Sequence, residues 1–256
     1  MKKRVFLAVL IICLCFSAKV FAAPQKYEIK ELYMTLDVPE NYYVFTRDID
    51  PNDKNLEKLG LTSEQLSTHF RASSIYFNGI DFDSLSEFVV VMNETDESRD
   101  IFDMSKLSDE ELQTAVDYFM ENFEKGAGKI FKESSIFKTD AATFLAFKFT
   151  SRENAYVAEG VQYYTIYNGQ AINIILSGYD NSHIASAMDD MAQMIESISF
   201  TKTFESAAVA GNFNTSAQEF LPQKSTGYGG ILRALISSGI MVLFGLALDP
   251  KRNKTR

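Results

Sequence analysis

Side chains able to do chemistry are few in this chain, and their spacing is poor for most reactions. It has two histidines, His69 and His183, and histidine is the commonest general base near neutral pH. Asp180, Ser182 and His183 together supply the residue types of a Ser-His-Asp triad. A triad, however, needs three groups that converge in space from separate parts of a fold. Residues this close at a helix entry cap backbone N–H groups instead, so capping is the expectation. Asp48-Ile49-Asp50-Pro51-Asn52-Asp53 follows the start of a calcium loop, but its sixth position is Asp53 where glycine is needed. Its twelfth position is Leu59 where glutamate is needed. A solvated turn is expected there.

Further acids occur at Asp81 and Asp83, and at Asp96, Glu97, Asp100, Asp103, Asp109 and Glu110 between Glu94 and Glu111. The chemistry they would support is weak divalent-cation binding. A charged loop leading into a capped helix accounts for the second group with less. Zinc lacks a ligand set, since the only two cysteines are Cys13 and Cys15 near the start. Gly227, Gly229 and Gly230 precede an apolar stretch rather than a strand–helix unit, so they form no phosphate cradle. Asn93-Glu94-Thr95 and Asn214-Thr215-Ser216 match glycosylation sequons, a pattern too short to weigh much by itself. No catalytic residue, cofactor-binding residue or metal ligand is assigned, and no cofactor is expected.

The elements that would position any site are easier to read. Alternation makes Tyr27 to Val38 a strand, and Pro39-Glu40-Asn41 turns it into a second, Tyr42 to Arg47. Asp48 to Lys54 is a polar loop. Asn55 to Leu59 reads as a short helix stopped by Gly60. Thr62-Ser63-Glu64-Gln65 is a capping signal for a helix to about Arg71. Ser74 to Asp81 and Glu87 to Asn93 are strands. Ser108 opens the clearest helix, with Leu112, Val116, Phe119 and Phe123 on one stripe and Gly126 and Gly128 to end it. Lys132 to Lys138, Ala142 to Ser151 and Tyr156 to Tyr167 are strands. Asn168-Gly169 joins the last to Gln170 to Ser177, because a type I′ turn needs positive φ at both central residues. A final helix points Ile184, Met188, Met191, Ile195 and Ile198 inward, and Phe200 closes the folded unit. Residues 201–228, rich in small and polar types, read as a spacer.

The two ends differ from everything between them. Lys2, Lys3 and Arg4 precede an apolar run from Val5 to Phe16 and a small-residue exit at Ala22, the pattern of a secretion signal over residues 1–22. Gly229 to Leu248 is about as long and apolar as a helix must be to cross ~30 Å of hydrocarbon. Lys251, Arg252, Lys254 and Arg256 follow it in the tail, residues 249–256, which the positive-inside tendency assigns to the cytoplasm. The expected layout is a signal, an outer domain over residues 23–200, a spacer, and a single-pass anchor that partners the lipid bilayer through residues 229–248. Residues 24–228 hold 16 basic and 33 acidic residues, a net of −17. Such a surface repels nucleic acid, which is excluded as a direct partner. Without cysteine, the outer domain has no disulfide or thiol chemistry. Cysteine-free exported domains are common in Gram-positive bacteria. Leu221-Pro222-Gln223-Lys224-Ser225-Thr226-Gly227 departs from a sortase signal by two extra residues, so a retained anchor is expected and wall attachment is the lesser reading.

Met34 to Tyr42, Tyr163 to Ile175 and Met191 to Phe200 together resemble the opening hairpin, late hairpin and closing helix–strand of PsbP/Mog-like domains. The layout also resembles uncharacterised membrane-anchored surface proteins of Gram-positive anaerobes. The resemblance implies an α+β fold, with an antiparallel sheet flanked by helices on both faces, to which the C-terminal transmembrane helix is added. It also implies a binding, sensing or assembly role at the envelope, with an unknown protein or envelope ligand, rather than catalysis. A cell-envelope hydrolase built on unrecognised acids is the alternative. A displayed structural protein is the third reading.

Overall fold

A computed structural model of the chain describes residues 23–123, 129–153, 156–179 and 182–204. Its strands are β1 (Gln25–Ile29), β2 (Met34–Val38), β3 (Tyr43–Thr46), β4 (Ile75–Asp81), β5 (Ser86–Asn93), β6 (Lys129–Lys138), β7 (Thr143–Glu153), β8 (Tyr156–Tyr167), β9 (Gln170–Gly178) and β10 (Ser199–Phe200). Its α-helices are α1 (Leu56–Leu59), α2 (Ser63–Ala72), α3 (Asp96–Ile101), α4 (Asp109–Phe123) and α5 (Ile184–Ser197). The fold is α+β. Seven strands form one antiparallel sheet in the order β3-β4-β5-β9-β8-β7-β6. A second sheet of three strands, β1-β2-β10, was not foreseen from sequence.

The period of two along each strand divides the large sheet into two apolar faces. Val89 and Val91, Leu145 and Phe147, Tyr164 and Ile166, and Ile175 face one side. There they pack with Leu66 and Phe70 of α2 and with Leu112, Val116 and Phe119 of α4. The residues between them, including Phe88, Val90, Ala146, Tyr163, Ile174 and Leu176, face the other side. These meet Leu36 and Val38 of the small sheet and Ala187, Met191, Met194 and Ile195 of α5. Helices therefore cover both faces, and the small sheet shares one of them with α5. Burying a phenylalanine such as Phe88 or Phe147 contributes about 1.5–3 kcal/mol each. Close approach needs glycine at Gly79, where a Cβ would lie 2.2 Å from the ring of Phe88.

Several local readings are met. Thr62 and Gln65 form a reciprocal capping box on α2. Gly60 ends α1 with φ of 62°. Asn168 and Gly169 hold φ of 54° and 75° and join β8 to β9 in continuous register from Tyr167↔Gln170 to Glu159↔Gly178. Other readings need correction. The strand expected over Tyr27 to Val38 is broken by a 3-10 turn at Lys30–Leu32. Ile29 and Leu32 are both buried, and a three-residue step between them cannot be met by an extended chain. The charged stretch after Glu94 is not all loop: Thr95 caps α3 in a second capping box with Ser98. The hydroxyl of Ser98 also donates to the Gly169 carbonyl at 2.7 Å, which fixes α3 beside the β8–β9 turn.

Beyond Phe200 the chain stays bound to the body. Thr201 N–H donates to the Tyr33 carbonyl at 2.7 Å. The Asn168 amide donates to the Lys202 carbonyl and accepts from Phe204 N–H, both at 2.9 Å. The rings of Tyr167 and Phe200 stack at 3.7 Å. Among the described residues no helix is long and apolar enough to cross a membrane. The signal, Gly126 and Gly128, Asp180, the rest of the spacer, the Leu221–Gly227 motif, Asn214, the apolar segment 229–248 and the basic tail lie outside the described residues.

Candidate functional site

A closed network of polar side chains lies at one end of the large sheet, where β4 turns into β5. Asp81, the last residue of β4, is 6% exposed. Its Oδ1 accepts from Asp83 N–H at 2.9 Å and from Ser84 N–H at 3.4 Å. Its Oδ2 accepts from the Ser84 hydroxyl at 2.6 Å and from the Asn41 amide at 2.9 Å. Ser84 Oγ lies 2.7 Å from Ser86 Oγ, and Ser86 Oγ lies 3.1 Å from the Tyr42 hydroxyl. Asn41 and Tyr42 are adjacent in the β2–β3 turn, so the network closes into a ring that ties two turns together.

The charge on Asp81 gives this ring a direction. An ionised carboxylate only accepts, so Ser84 donates to it. Ser84 then accepts from Ser86, and Ser86 accepts from Tyr42. Burial alone would raise the pKa of Asp81. The hydrogen bonds from Ser84, Asn41 and the two backbone N–H groups outweigh that and hold it below the ordinary value. Burial raises the Tyr42 phenol well above its usual range, and the carboxylates of Asp190 and Asp81 push the same way.

Asp190, half-buried on α5, faces this ring. Burial raises its pKa first, and Asp189 and Asp81 add to the rise. The site therefore holds two carboxylates with opposite shifts. One has all four lone-pair positions occupied; in the other, burial and neighbouring acids disfavour the charged form.

Sequence reasoning had singled out Asp81 and Asp83 as a pair. The structure keeps Asp81 and turns Asp83 outward, and it supplies Asp190 from more than a hundred residues away. The ring partners Asn41, Tyr42, Ser84 and Ser86 were missed. Each is an ordinary turn or strand-end residue, and only the fold brings the two turns together.

The other candidates lie elsewhere. His69 on α2 has Nε2 3.5 Å from Ser73 Oγ, and burial lowers its pKa. His183 itself is the N-cap of α5, and its own side chain caps no N–H; Asp180 of the expected capping group lies outside the described residues. Ser182 Oγ lies 2.9 Å from His183 Nδ1. In the calcium-like loop, Asp50 accepts from Asn52 N–H and Asp53 accepts from Asn55 N–H, each at 2.8 Å. These are turn bonds of a solvated loop. Asp103 likewise caps a 3-10 turn by accepting from Ser105 N–H, and Asp109 pairs with Lys138 at 2.6 Å. Among the described residues no group of three or more His, Cys, Asp or Glu is placed to hold a metal ion.

No protein-family model and no curated protein matches this chain. Similar solved structures include that of a cyanobacterial PsbP from Synechocystis, with 9% identity and a TM-score of 0.42 over 72% of this chain and 96% of that one. The Ran-binding protein Mog1p of Saccharomyces cerevisiae is similar at 10% identity and a TM-score of 0.36, over 71% of this chain and 97% of that one. LpqN of Mycobacterium tuberculosis, described as involved in cell envelope biogenesis, is similar at 11% identity and a TM-score of 0.39, over 66% and 83%. At such identities and scores no activity, ligand or partner comes with the likeness.

Proposed function

We propose that the chain is a binding or assembly module held outside a bacterial membrane by its C-terminal apolar segment. The observation that carries this reading is the segregation of polarity in the sequence. Apolar stretches at residues 5–16 and 229–248 bracket a body of net charge −17, and four basic residues follow the second stretch. A signal places the body outside, the span retains it there, and the basic tail stays in the cytoplasm. The body's acidity favours a protein or envelope partner over nucleic acid. The Asp81 ring is a structural tie: every lone pair of that carboxylate is already in use, so it is not available as a general base.

One experiment addresses the topology and another the binding. A tag at the extreme C-terminus of the full chain should survive protease added to intact cells, while the body is digested; a digested tag overturns the layout. Chemical cross-linking of the full chain on intact cells should give discrete adducts with envelope components, and a chain that forms none is not a binding module. A second reading is an envelope hydrolase in which Asp190, a half-buried carboxylate whose pKa is raised by burial and neighbouring acids, serves as the acid. It requires release of fragments from cell-wall polysaccharide or peptide that Asp190→Asn abolishes.

A further inference from the structure

The last strand of the large sheet has a free side. β6 is ten residues long, and among the described residues no strand pairs with its outer edge. Natural edge strands are guarded by free charges and by bulges, because an unguarded row of N–H and C=O groups recruits another strand. Here the charges are drawn aside. Lys132 pairs with Glu159 at 3.0 Å and Lys148 pairs with Glu133 at 2.8 Å, both on the sheet's α5 side. Lys138 is held by Asp109 on α4, and Lys129 lies over the ring of Phe149 at 4.3 Å. Ile130, by contrast, is 56% exposed.

The strand's sequence is close to self-complementary. It reads Lys-Ile-Phe-Lys-Glu-Ser-Ser-Ile-Phe-Lys from Lys129 to Lys138. A closed homodimer uses the same patch on both copies, which for a sheet edge means antiparallel pairing about a two-fold axis. With that axis between Glu133 and Ser134, Ile130 falls opposite Phe137 of the second copy, and Phe131 falls opposite Ile136. The faces agree. Phe131 and Ile136 both pack on the α4 side. Phe137 packs on the α5 side, and Ile130, next to Phe131 along the strand, points to that side too. Two-fold pairing across an edge preserves faces, so each apolar residue meets an apolar residue. Lys129 and Lys138 of opposite copies come together at the ends, where Lys138 is already paired with Asp109 of its own copy. The register shift between Phe131 and Glu133 puts a bulge next to the axis, so the new ladder would form two short runs flanking it.

We infer that β6 is a homodimer interface, with its edge pairing to β6 of a second copy to make one continuous sheet of fourteen strands. This rests on the edge and its residues, and holds whichever side of a membrane the body occupies. The test uses the full chain in detergent with Cys13 and Cys15 changed to serine. Under mild oxidation, Ile130→Cys combined with Phe137→Cys should give a reducible product of twice the mass, since directly opposed strand residues lie within disulfide reach. Asp83→Cys, in the turn at the end of β4, should not. Without added cysteine, Ile130→Lys should weaken dimerisation measured by sedimentation by about tenfold or more, with an unchanged circular-dichroism spectrum because the side chain is exposed in the single copy. A monomeric parent chain overturns the interface. So does equal cross-linking by the Asp83→Cys control, or an Ile130→Lys variant that dimerises as well as the parent, which would assign association to residues 229–248 instead.

Discussion

The two ends of the large sheet are each tied by side chains that reach between turns, and they do so by opposite means. At the β4–β5 end the tie is a buried carboxylate, Asp81, fed by hydroxyls and an amide from two turns. At the β8–β9 end it is a neutral amide, Asn168, which grips the passing chain at Lys202 and Phe204, beside the stacked rings of Tyr167 and Phe200 and the edge contact of Tyr33 with Phe204. The charged tie is strong only while its donors stay in place and its carboxylate stays ionised. The neutral tie is indifferent to pH. The molecule should therefore loosen from the Asp81 end in acid and keep its Asn168 end closed.

Asp81→Ala tests this most severely. It strands the Asn41 amide and the Ser84 hydroxyl, and should cost about 2–3 kcal/mol in thermal or urea unfolding of the full chain. Because Asp81 is held below its ordinary pKa, its contribution is complete above the unfolded value and disappears as pH falls through the folded one. The cost of Asp81→Ala should shrink over that acid interval. A cost that does not change with pH breaks the comparison. Asn168→Ala removes two hydrogen bonds and places a residue less tolerant of positive φ at 54°, so it should cost about 1–2 kcal/mol. That cost should be the same in acid as at neutral pH. Tyr42→Phe removes one neutral donor from the far end of the ring and should cost about 1 kcal/mol, less than the loss of the carboxylate it feeds. Asp190→Asn has the smallest effect and the opposite sign. Its raised pKa means the charged form is disfavoured in the fold, so its deficit grows as pH rises through the folded value and is absent below the unfolded one. The variant should melt slightly higher than the parent at neutral pH and level with it in acid. A lower melt at neutral pH would mean that Asp190 has a favourable partner.

The same contrast explains what was legible in the sequence. The Asn168-Gly169 turn was readable because its cause is local: two adjacent residues that tolerate positive φ between two alternating runs. The α2 capping box was readable for the same reason, as were the apolar stripes of α4 and α5. The Asp81 ring was only half visible. Asp81 and Asp83 could be seen, but Asn41, Tyr42, Ser86 and Asp190 come from separate parts of the chain, and nothing in their neighbours marks them. The small sheet was missed because β10 has only two residues, too short to show alternation. Its partner β2 had been merged with β1, since Ile29 and Leu32 fit an apolar run until their three-residue spacing is noticed. The helix α3 was hidden by its charge. Its capping residues Thr95 and Ser98 sit among acids that read as loop, and its docking on Gly169 is a contact across more than seventy residues.

The grip of Asn168 on residues 202–204 also decides how the molecule would bear a pull. Tension on the chain beyond Phe204 arrives first at the tip of the central hairpin and at Tyr33, and only afterwards at the two-residue β10 and at α5. Strain is thereby delivered near the middle of the largest sheet, where neighbouring strands share it, instead of peeling the last helix from its end. Cutting the Asn168 contacts would reverse that order and turn a shared load into an unzipping one.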